Sequence, residues 1–143
     1  MENSNFQLTD QQKAALQKLG VVLCYLHGSI AAGTPRTDSD ADVAVLFENM
    51  PEDPIGVTGK LIDLLTGFIP GRELDIAILN EASPLLKQAV AVHGQLLYEH
   101  SLGDGLQFQL DTMDTYEDHL HFLRFQKYAA MVIAGMHPAP LYE

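Results

Sequence analysis

Residues 27–47 of this chain read HGSIAAGTPRTDSDADVAVLF and hold its clearest structural signal. An apolar run ends at Gly28-Ser29, a polar loop follows, and Asp40 and Asp42 then stand at the start of a second apolar run. Because side chains alternate between the two faces of a strand, Asp40 and Asp42 are expected to point the same way. Two such carboxylates repel each other unless a positive charge lies between them, and a divalent metal ion is the usual solution. The stretch therefore predicts two strands with a metal-binding site at their junction.

Hydrophobic patterning on either side of this stretch predicts a single domain of the α/β or α+β class. Helices are expected over 9–19, 55–68, 83–94 and about 106–134, with a helical turn at 29–33, and strands over 21–26, 42–47, 73–79 and 95–98. The short turn at Gly28-Ser29 favours a small mixed sheet of about four strands, flanked by helices, over a doubly wound one.

The domain is expected to span residues 1–143, with a core at about 8–100 and a long C-terminal helix at about 104–135. An apolar stripe at helical spacing marks that last helix, and it consists of Leu106, Leu110, Met113, Leu120, Leu123 and Met131.

Composition narrows the classes of function. The chain has 143 residues, 47% of them hydrophobic, which is enough for one buried core. Its formal net charge is −11 and its eight basic residues are scattered, which argues against binding of nucleic acid through its phosphates. A single cysteine, Cys24, lies in an apolar run and fits a reducing compartment. The polar start of the chain and the lack of a membrane-length apolar run predict a cytoplasmic protein with no signal peptide.

The residues around Gly28 suggest a seat for a phosphorylated ligand. Gly28 lets the backbone approach a ligand closely, and Ser29 begins a short helix whose free N–H groups favour an anion. Asp75 stands at the start of the predicted third strand and adds a third carboxylate to Asp40 and Asp42. A phosphate seat beside three carboxylates is the layout for nucleotidyl transfer assisted by two Mg²⁺ ions.

The spacing of these residues resembles a known signature. Gly28-Ser29, ten further residues and then Asp40-Ala41-Asp42 resemble the signature of the DNA polymerase β-like nucleotidyltransferase superfamily. The pattern Gly-Ser-x-Ala-x-Gly is similar to that of its minimal branch, the MNT domains, and Asp75 matches the third carboxylate of the family. The resemblance extends to residues 92–98, so it covers about 8–100, and the long last helix resembles that of MNT antitoxins in HEPN/MNT pairs.

This resemblance implies a specific activity and partner. The chain would be the antitoxin of a HEPN/MNT toxin–antitoxin pair, forming a hetero-oligomer with its HEPN ribonuclease toxin and transferring AMP from ATP to a tyrosine of that toxin. The small core suggests that the acceptor is itself a protein. The acidic surface suits docking onto a more basic, RNA-cleaving partner.

The resemblance also assigns roles to residues. Asp40 and Asp42 would hold two Mg²⁺ ions, and Asp75 would share one ion and help to deprotonate the tyrosine. Gly28 and Ser29 would hold the β- and γ-phosphates of ATP. The chain departs from many relatives at Ala32, where they carry an arginine, and Arg36 is the nearest candidate to replace that contact with phosphate.

Other interpretations stay open at this point. Asp40 and Asp42 also fit a plain turn at a strand start. The chain could be a small-molecule nucleotidyltransferase of the aminoglycoside-modifying type, or an antitoxin that acts by binding alone. A hydrolase with Ser29 as its nucleophile is not favoured, because His27 is expected to point to the other face of its strand. No P-loop sequence is present.

Overall fold

The computed structural model describes residues 6–31, 33 and 40–136. Nine helices and strands are described there, in the order α1 Asp10–Lys18, β1 Val21–His27, α2 Gly28–Ala31, β2 Ala41–Phe47, α3 Pro54–Leu65, β3 Leu74–Ile78, α4 Pro84–His93, β4 Gln95–Glu99 and α5 Asp104–Ile133. A 3₁₀ turn at Leu79–Glu81, which the sequence analysis did not predict, joins β3 to α4.

The four strands form one mixed sheet in the order β3-β2-β1-β4. β1 is antiparallel to both β2 and β4, whereas β2 and β3 run parallel. The parallel pair is joined through α3, as a parallel connection requires a crossover. The predicted fold class is therefore confirmed, including the mixed sheet and the long last helix.

The helices begin at residues that the sequence marks as caps. Thr9 and Gln12 form a complete capping box, in which the Gln12 amide donates to Thr9 Oγ1 (3.1 Å) and the Thr9 amide donates to Gln12 Oε1 (2.9 Å). Ser83 caps α4 by accepting from the Leu86 amide at 3.2 Å, with proline in the first turn. α3 ends at Leu65, three residues before the predicted end of that helix.

The sheet packs a hydrophobic core on each face. One face carries Val43 and Val45 of β2, which pack with α1 and α3. The other face carries Tyr25 of β1 and Ala44 of β2, which pack with Val90 of α4 and Phe108 of α5. Because side chains alternate along β2, Asp42 shares the face of Ala44, so the candidate site lies on the side of the sheet covered by α4 and α5.

The last helix contacts this face in a way that periodicity did not predict. Its buried residues are Gly105, Phe108 and Thr112, whereas Leu106 and Leu110 of the apolar stripe are 62% and 52% exposed. At 100° per residue, Leu106, Leu110 and Met113 lie roughly 130° around the helix from the buried side, whereas Leu123 falls on the same side as Gly105. Among the described residues, the structure contains no helix that is both long and apolar enough to cross a membrane.

Candidate active site

Three titratable side chains lie in one row across three neighbouring strands. In the antiparallel pairing of β1 with β2, His27 stands opposite Asp42, and in the parallel pairing of β2 with β3, Asp42 stands opposite Asp75. Residues directly opposite each other project from the same face of a sheet, a few ångströms apart. The sheet therefore brings together His27, Asp42 and Asp75 from positions far apart in the sequence.

The turn after β1 is built tightly against this row. Gly28 has a positive φ of 76°, a conformation that glycine adopts without strain. A Cβ atom added to Gly28 would overlap the Asp42 carboxylate. Gly28 thus allows the backbone at the start of α2 to pass directly beside Asp42. The close approach to a ligand that the sequence analysis expected of this glycine stays a prediction.

The carboxylates act on one another electrostatically. Burial raises the pKa of Asp42, and the charges of Asp75 and Asp40 raise it further, whereas His27 lowers it. Asp40 lies just before β2 and is exposed, as is Asp75, while Asp42 is half-buried. Asp42 therefore lies in the field of two neighbouring carboxylates, an arrangement that a bound cation stabilises.

His27 is the residue at this site that sequence reasoning missed. It was expected to point away, but its pairing with Asp42 places it on the face that carries the carboxylates. Its Nε2 atom is buried and makes no hydrogen bond. Burial lowers the pKa of His27, against the opposing effect of Asp42 and Asp75. The proximity of His27 to Asp42 follows from the register of β1 on β2, and that register cannot be predicted from the sequence alone.

The remaining predicted residues are placed as follows. Ser29 is half-buried within α2, one residue beyond Gly28. Arg36 and Ala32 lie outside the described residues. Asp40, Asp42 and Asp75 as metal ligands, and Gly28 with Ser29 as a phosphate seat, remain predictions.

The donor types fit a hard divalent cation, because carboxylate oxygens are the ligands that Mg²⁺ prefers. Within residues 6–31, 33 and 40–136, however, no group of three or more His, Cys, Asp or Glu side chains is gathered closely enough to hold a metal ion. The ligand types thus suit magnesium, and the strands place Asp42 and Asp75 next to each other, but a third ligand is not gathered with them among the described residues.

A central sheet carrying paired carboxylates beside a glycine turn is the arrangement of a nucleotidyltransferase, and the sequence agrees with that assignment. Residues 11–102 match the family model described as Polymerase beta, Nucleotidyltransferase. The chain belongs to this family. The matched segment runs from α1 to just beyond β4, so α5 lies outside it. No curated protein matches the chain.

Solved structures with the same fold include two toxin–antitoxin complexes. A chain of a toxin–antitoxin crystal structure with AMP-PNP has a TM-score of 0.64 and 26% identity, covering 87% of this chain and 99% of that chain. A chain of the tri-AMPylated Shewanella oneidensis HEPN toxin in complex with MNT antitoxin has a TM-score of 0.56 and 23% identity, with coverage of 87% and 99%. A third structure, from Shewanella oneidensis, has a TM-score of 0.62 and 23% identity over 92% of this chain and 99% of that one. At their lower identity, the last two show the shared fold alone.

Proposed function

We propose that this chain is the antitoxin of a HEPN/MNT pair and that it transfers AMP from ATP to a tyrosine of its HEPN toxin. The observation that carries the proposal is the placement of Asp42 beside Asp75 on adjacent parallel strands, with Gly28 directly against Asp42. Membership of the nucleotidyltransferase family supports the reaction class. The likeness to a toxin–antitoxin with AMP-PNP supports an adenine nucleotide and a protein partner.

The proposed reaction gives each group at the site a defined task. The tyrosine oxygen attacks the α-phosphorus of ATP, a new P–O bond forms, the bond to pyrophosphate breaks, and the phenolic proton passes to a carboxylate, for which Asp75 is the candidate. Gly28 and Ser29 orient the β- and γ-phosphates. Mg²⁺ held by Asp40, Asp42 and Asp75 would neutralise the charge of the triphosphate. Most of the rate enhancement then comes from positioning and preorganised charge.

The test is intact-mass spectrometry of the protein encoded beside this chain, which the proposal expects to be a HEPN protein. That protein is incubated with ATP, Mg²⁺ and either the native chain or the variant Asp42→Asn, which keeps the shape and removes the charge. The native chain is expected to add whole AMP units, and Asp42→Asn should slow this addition by about 100-fold or more. Asp63→Asn is the matched control, because Asp63 is an exposed carboxylate on α3, away from the row.

Two other outcomes would replace the proposal. A stable complex without any gain in mass would mean an antitoxin that acts by binding alone, a reading that Ala32 in place of the usual arginine favours. If no complex forms, the mass does not increase and a purified aminoglycoside is modified instead, the chain is a small-molecule nucleotidyltransferase.

A further inference from the structure

His27 is a half-buried polar side chain to which the proposed reaction gives no task. It ends β1, and the residues before it in that strand, 21–26, are all hydrophobic. Its Nε2 atom is buried and makes no hydrogen bond. A buried polar atom without a partner costs free energy, and an apolar side chain at the same place would avoid that cost. An unpartnered imidazole at the end of a hydrophobic strand therefore indicates a role other than packing.

The charged groups that act on His27 are both hydrogen-bond acceptors. Asp42 stands directly opposite His27 in the pairing of β1 with β2, and Asp75 stands opposite Asp42 in the pairing of β2 with β3. Both carboxylates act electrostatically on His27. Ionised carboxylates accept hydrogen bonds and cannot donate them, so the imidazole can bond to either one only through an N–H group. Asp42 is the nearer acceptor, because residues directly opposite each other have Cβ atoms about 5 Å apart.

His27 can supply this N–H group without a charge. Burial lowers the pKa of His27, against the opposing effects of Asp42 and Asp75. A neutral imidazole has one N–H group and one acceptor nitrogen, and the tautomer with its proton on Nε2 makes the unpartnered atom a donor. A neutral donor leaves the negative charge of Asp42 and Asp75 available to a cation, whereas a lysine or arginine at this position would neutralise part of that charge.

The main chain also adjoins the Asp42 carboxylate. A Cβ atom added to Gly28, the residue after His27, would overlap Asp42 Oδ2. Two consecutive residues, His27 and Gly28, thus border the same carboxylate, one through its side chain and one through its backbone. Carboxylates that bind metal ions in proteins are themselves held by hydrogen bonds from neighbouring groups, and these bonds fix the orientation of the ligand.

We propose that His27 is a positioning residue, which donates a hydrogen bond from Nε2 to one oxygen of Asp42 and thereby orients the other oxygen toward a divalent cation. Because Nε2 has no partner in the chain alone, this bond is expected to form when the cation binds. The inference rests on the proposed function in one respect, the assignment of the cation to Asp42. Loss of such a partner of a metal ligand weakens metal binding by about 10- to 100-fold.

The test measures binding of Mn²⁺, a paramagnetic substitute for Mg²⁺, to the full chain by electron paramagnetic resonance. His27→Phe keeps a ring of similar size without an N–H group and should raise the Kd for Mn²⁺ by about tenfold or more. His27→Gln carries an amide N–H group near the position of the imidazole Nε2 and should recover most of the native affinity. Asp42→Asn should abolish the same binding event, which distinguishes it from weak binding elsewhere on an acidic chain.

His100→Phe is the matched control for His27→Phe. His100 is exposed, and its amide donates to the Val22 carbonyl near the other end of β1, so loss of its imidazole should leave Mn²⁺ binding unchanged. The melting temperature of His27→Phe should not fall below that of the native chain, because phenylalanine removes an unpartnered buried nitrogen. If His27→Phe and His27→Gln both melt earlier and bind Mn²⁺ equally weakly, His27 serves packing alone and the proposal is overturned.

Two further measurements separate positioning from direct participation. If the Mn²⁺ electron spin couples to a nitrogen nucleus and His27→Phe removes that coupling, His27 is a ligand of the ion and the positioning role is overturned. In AMP transfer, His27→Phe should approach the native rate as the Mg²⁺ concentration is raised, because only the affinity for the ion is impaired. A slow rate that persists at saturating Mg²⁺, with native affinity for Mn²⁺, would give His27 a role in proton transfer and also overturn the proposal.

The outcomes separate this inference from the proposed function, because Mn²⁺ binding is measured on the chain alone. If His27→Phe binds Mn²⁺ normally and AMP is still transferred, the role of His27 is wrong and the function stands. If His27→Phe binds Mn²⁺ weakly but the native chain transfers no AMP to its neighbouring protein, the role of His27 stands and the function is wrong. If the native chain binds no Mn²⁺, or Asp42→Asn leaves binding unchanged, both the role of His27 and the metal site of the proposed reaction are overturned.

Discussion

At the scale of single residues, the site depends on a position that tolerates no side chain. Gly28 has a φ of 76°, and a Cβ there would overlap the Asp42 carboxylate. Gly28→Ala must both strain the backbone and displace Asp42, so we expect it to lower the free energy of unfolding by about 2–3 kcal/mol. It should also weaken ATP binding. Urea denaturation and calorimetry measure the two effects.

Gly71→Ala is the matched control for this prediction. Gly71 has nearly the same φ, 75°, but an added Cβ would meet no atom within 4 Å. Its substitution should therefore cost only the backbone strain, about 1 kcal/mol, and leave ATP binding intact. Equal losses of stability for the two variants would show that the contact with Asp42 is not what excludes a side chain at Gly28.

The residues of the site were visible in the sequence to different degrees. Gly28, Asp42 and Asp75 could be predicted to lie together because each stands at the end or start of a predicted strand and their spacing resembles the nucleotidyltransferase signature. His27 could not, because its proximity to Asp42 is created by the register of β1 on β2. A one-residue change of register would send the side chain to the other face.

At the scale of secondary-structure elements, Asn80 joins the end of β2 to the turn after β3. The Phe47 amide donates to Asn80 Oδ1 at 2.9 Å, and Asn80 Nδ2 donates to the Phe47 carbonyl at 2.9 Å. The side chain thus replaces a missing strand residue and continues the ladder past Val45 and Ile78. This clamp was not predicted, because an asparagine that follows a strand fits an ordinary turn as well as it fits a hydrogen bond to a neighbouring strand.

Removing this clamp should destabilise the domain measurably. Asn80→Ala leaves both backbone groups of the buried Phe47 without their partners, so we expect a loss of about 2–3 kcal/mol in the free energy of unfolding. Asn49→Ala, at an exposed position nearby, should change stability by less than about 0.5 kcal/mol. Urea denaturation of both variants measures the difference. Near-equal effects would mean that water satisfies Phe47 once Asn80 is removed.

The orientation of α5 shows what helical periodicity cannot determine. The pattern correctly predicted one long helix, but the side that packs on the sheet is chosen by size as well as by hydrophobicity. A Cβ at Gly105 would lie 2.9 Å from a methyl carbon of Leu96, so glycine allows this close approach to β4 without moving the Leu96 side chain. Phe108 and Thr112 follow on the same side, whereas Leu106, Leu110 and Met113 of the more hydrophobic stripe are left exposed.

At the scale of the whole molecule, the sheet with a core on each face buries two ionisable groups in the middle of β1. Burial raises the pKa of the Cys24 thiol from 9.0 to about 12. It also raises the pKa of Tyr25 to about 12, with the charge of Glu99 as a smaller cause. Both groups stay protonated in the folded chain at a pH where the unfolded chain releases its protons. The free energy of unfolding therefore falls as the pH becomes alkaline.

The sign of this linkage leads to a prediction for Cys24. Below about pH 9 the thiol is protonated in both states and contributes no pH dependence. Above it, the unfolded state binds fewer protons than the folded state, so the free energy of unfolding falls as pH rises until about pH 12. From pH 7.5 to pH 10 the loss attributable to Cys24 should be on the order of 1 kcal/mol.

Cys24→Ala isolates this contribution. The variant loses stability at every pH because it leaves a cavity among buried neighbours, but it no longer carries the thiol, while Tyr25 titrates equally in both proteins. The gap in stability between the native chain and Cys24→Ala, measured by urea denaturation, should therefore narrow by on the order of 1 kcal/mol between pH 7.5 and pH 10. A gap that stays constant over this range would mean that water reaches Cys24 in the folded protein and that the core around β1 is less tightly closed than its burial indicates.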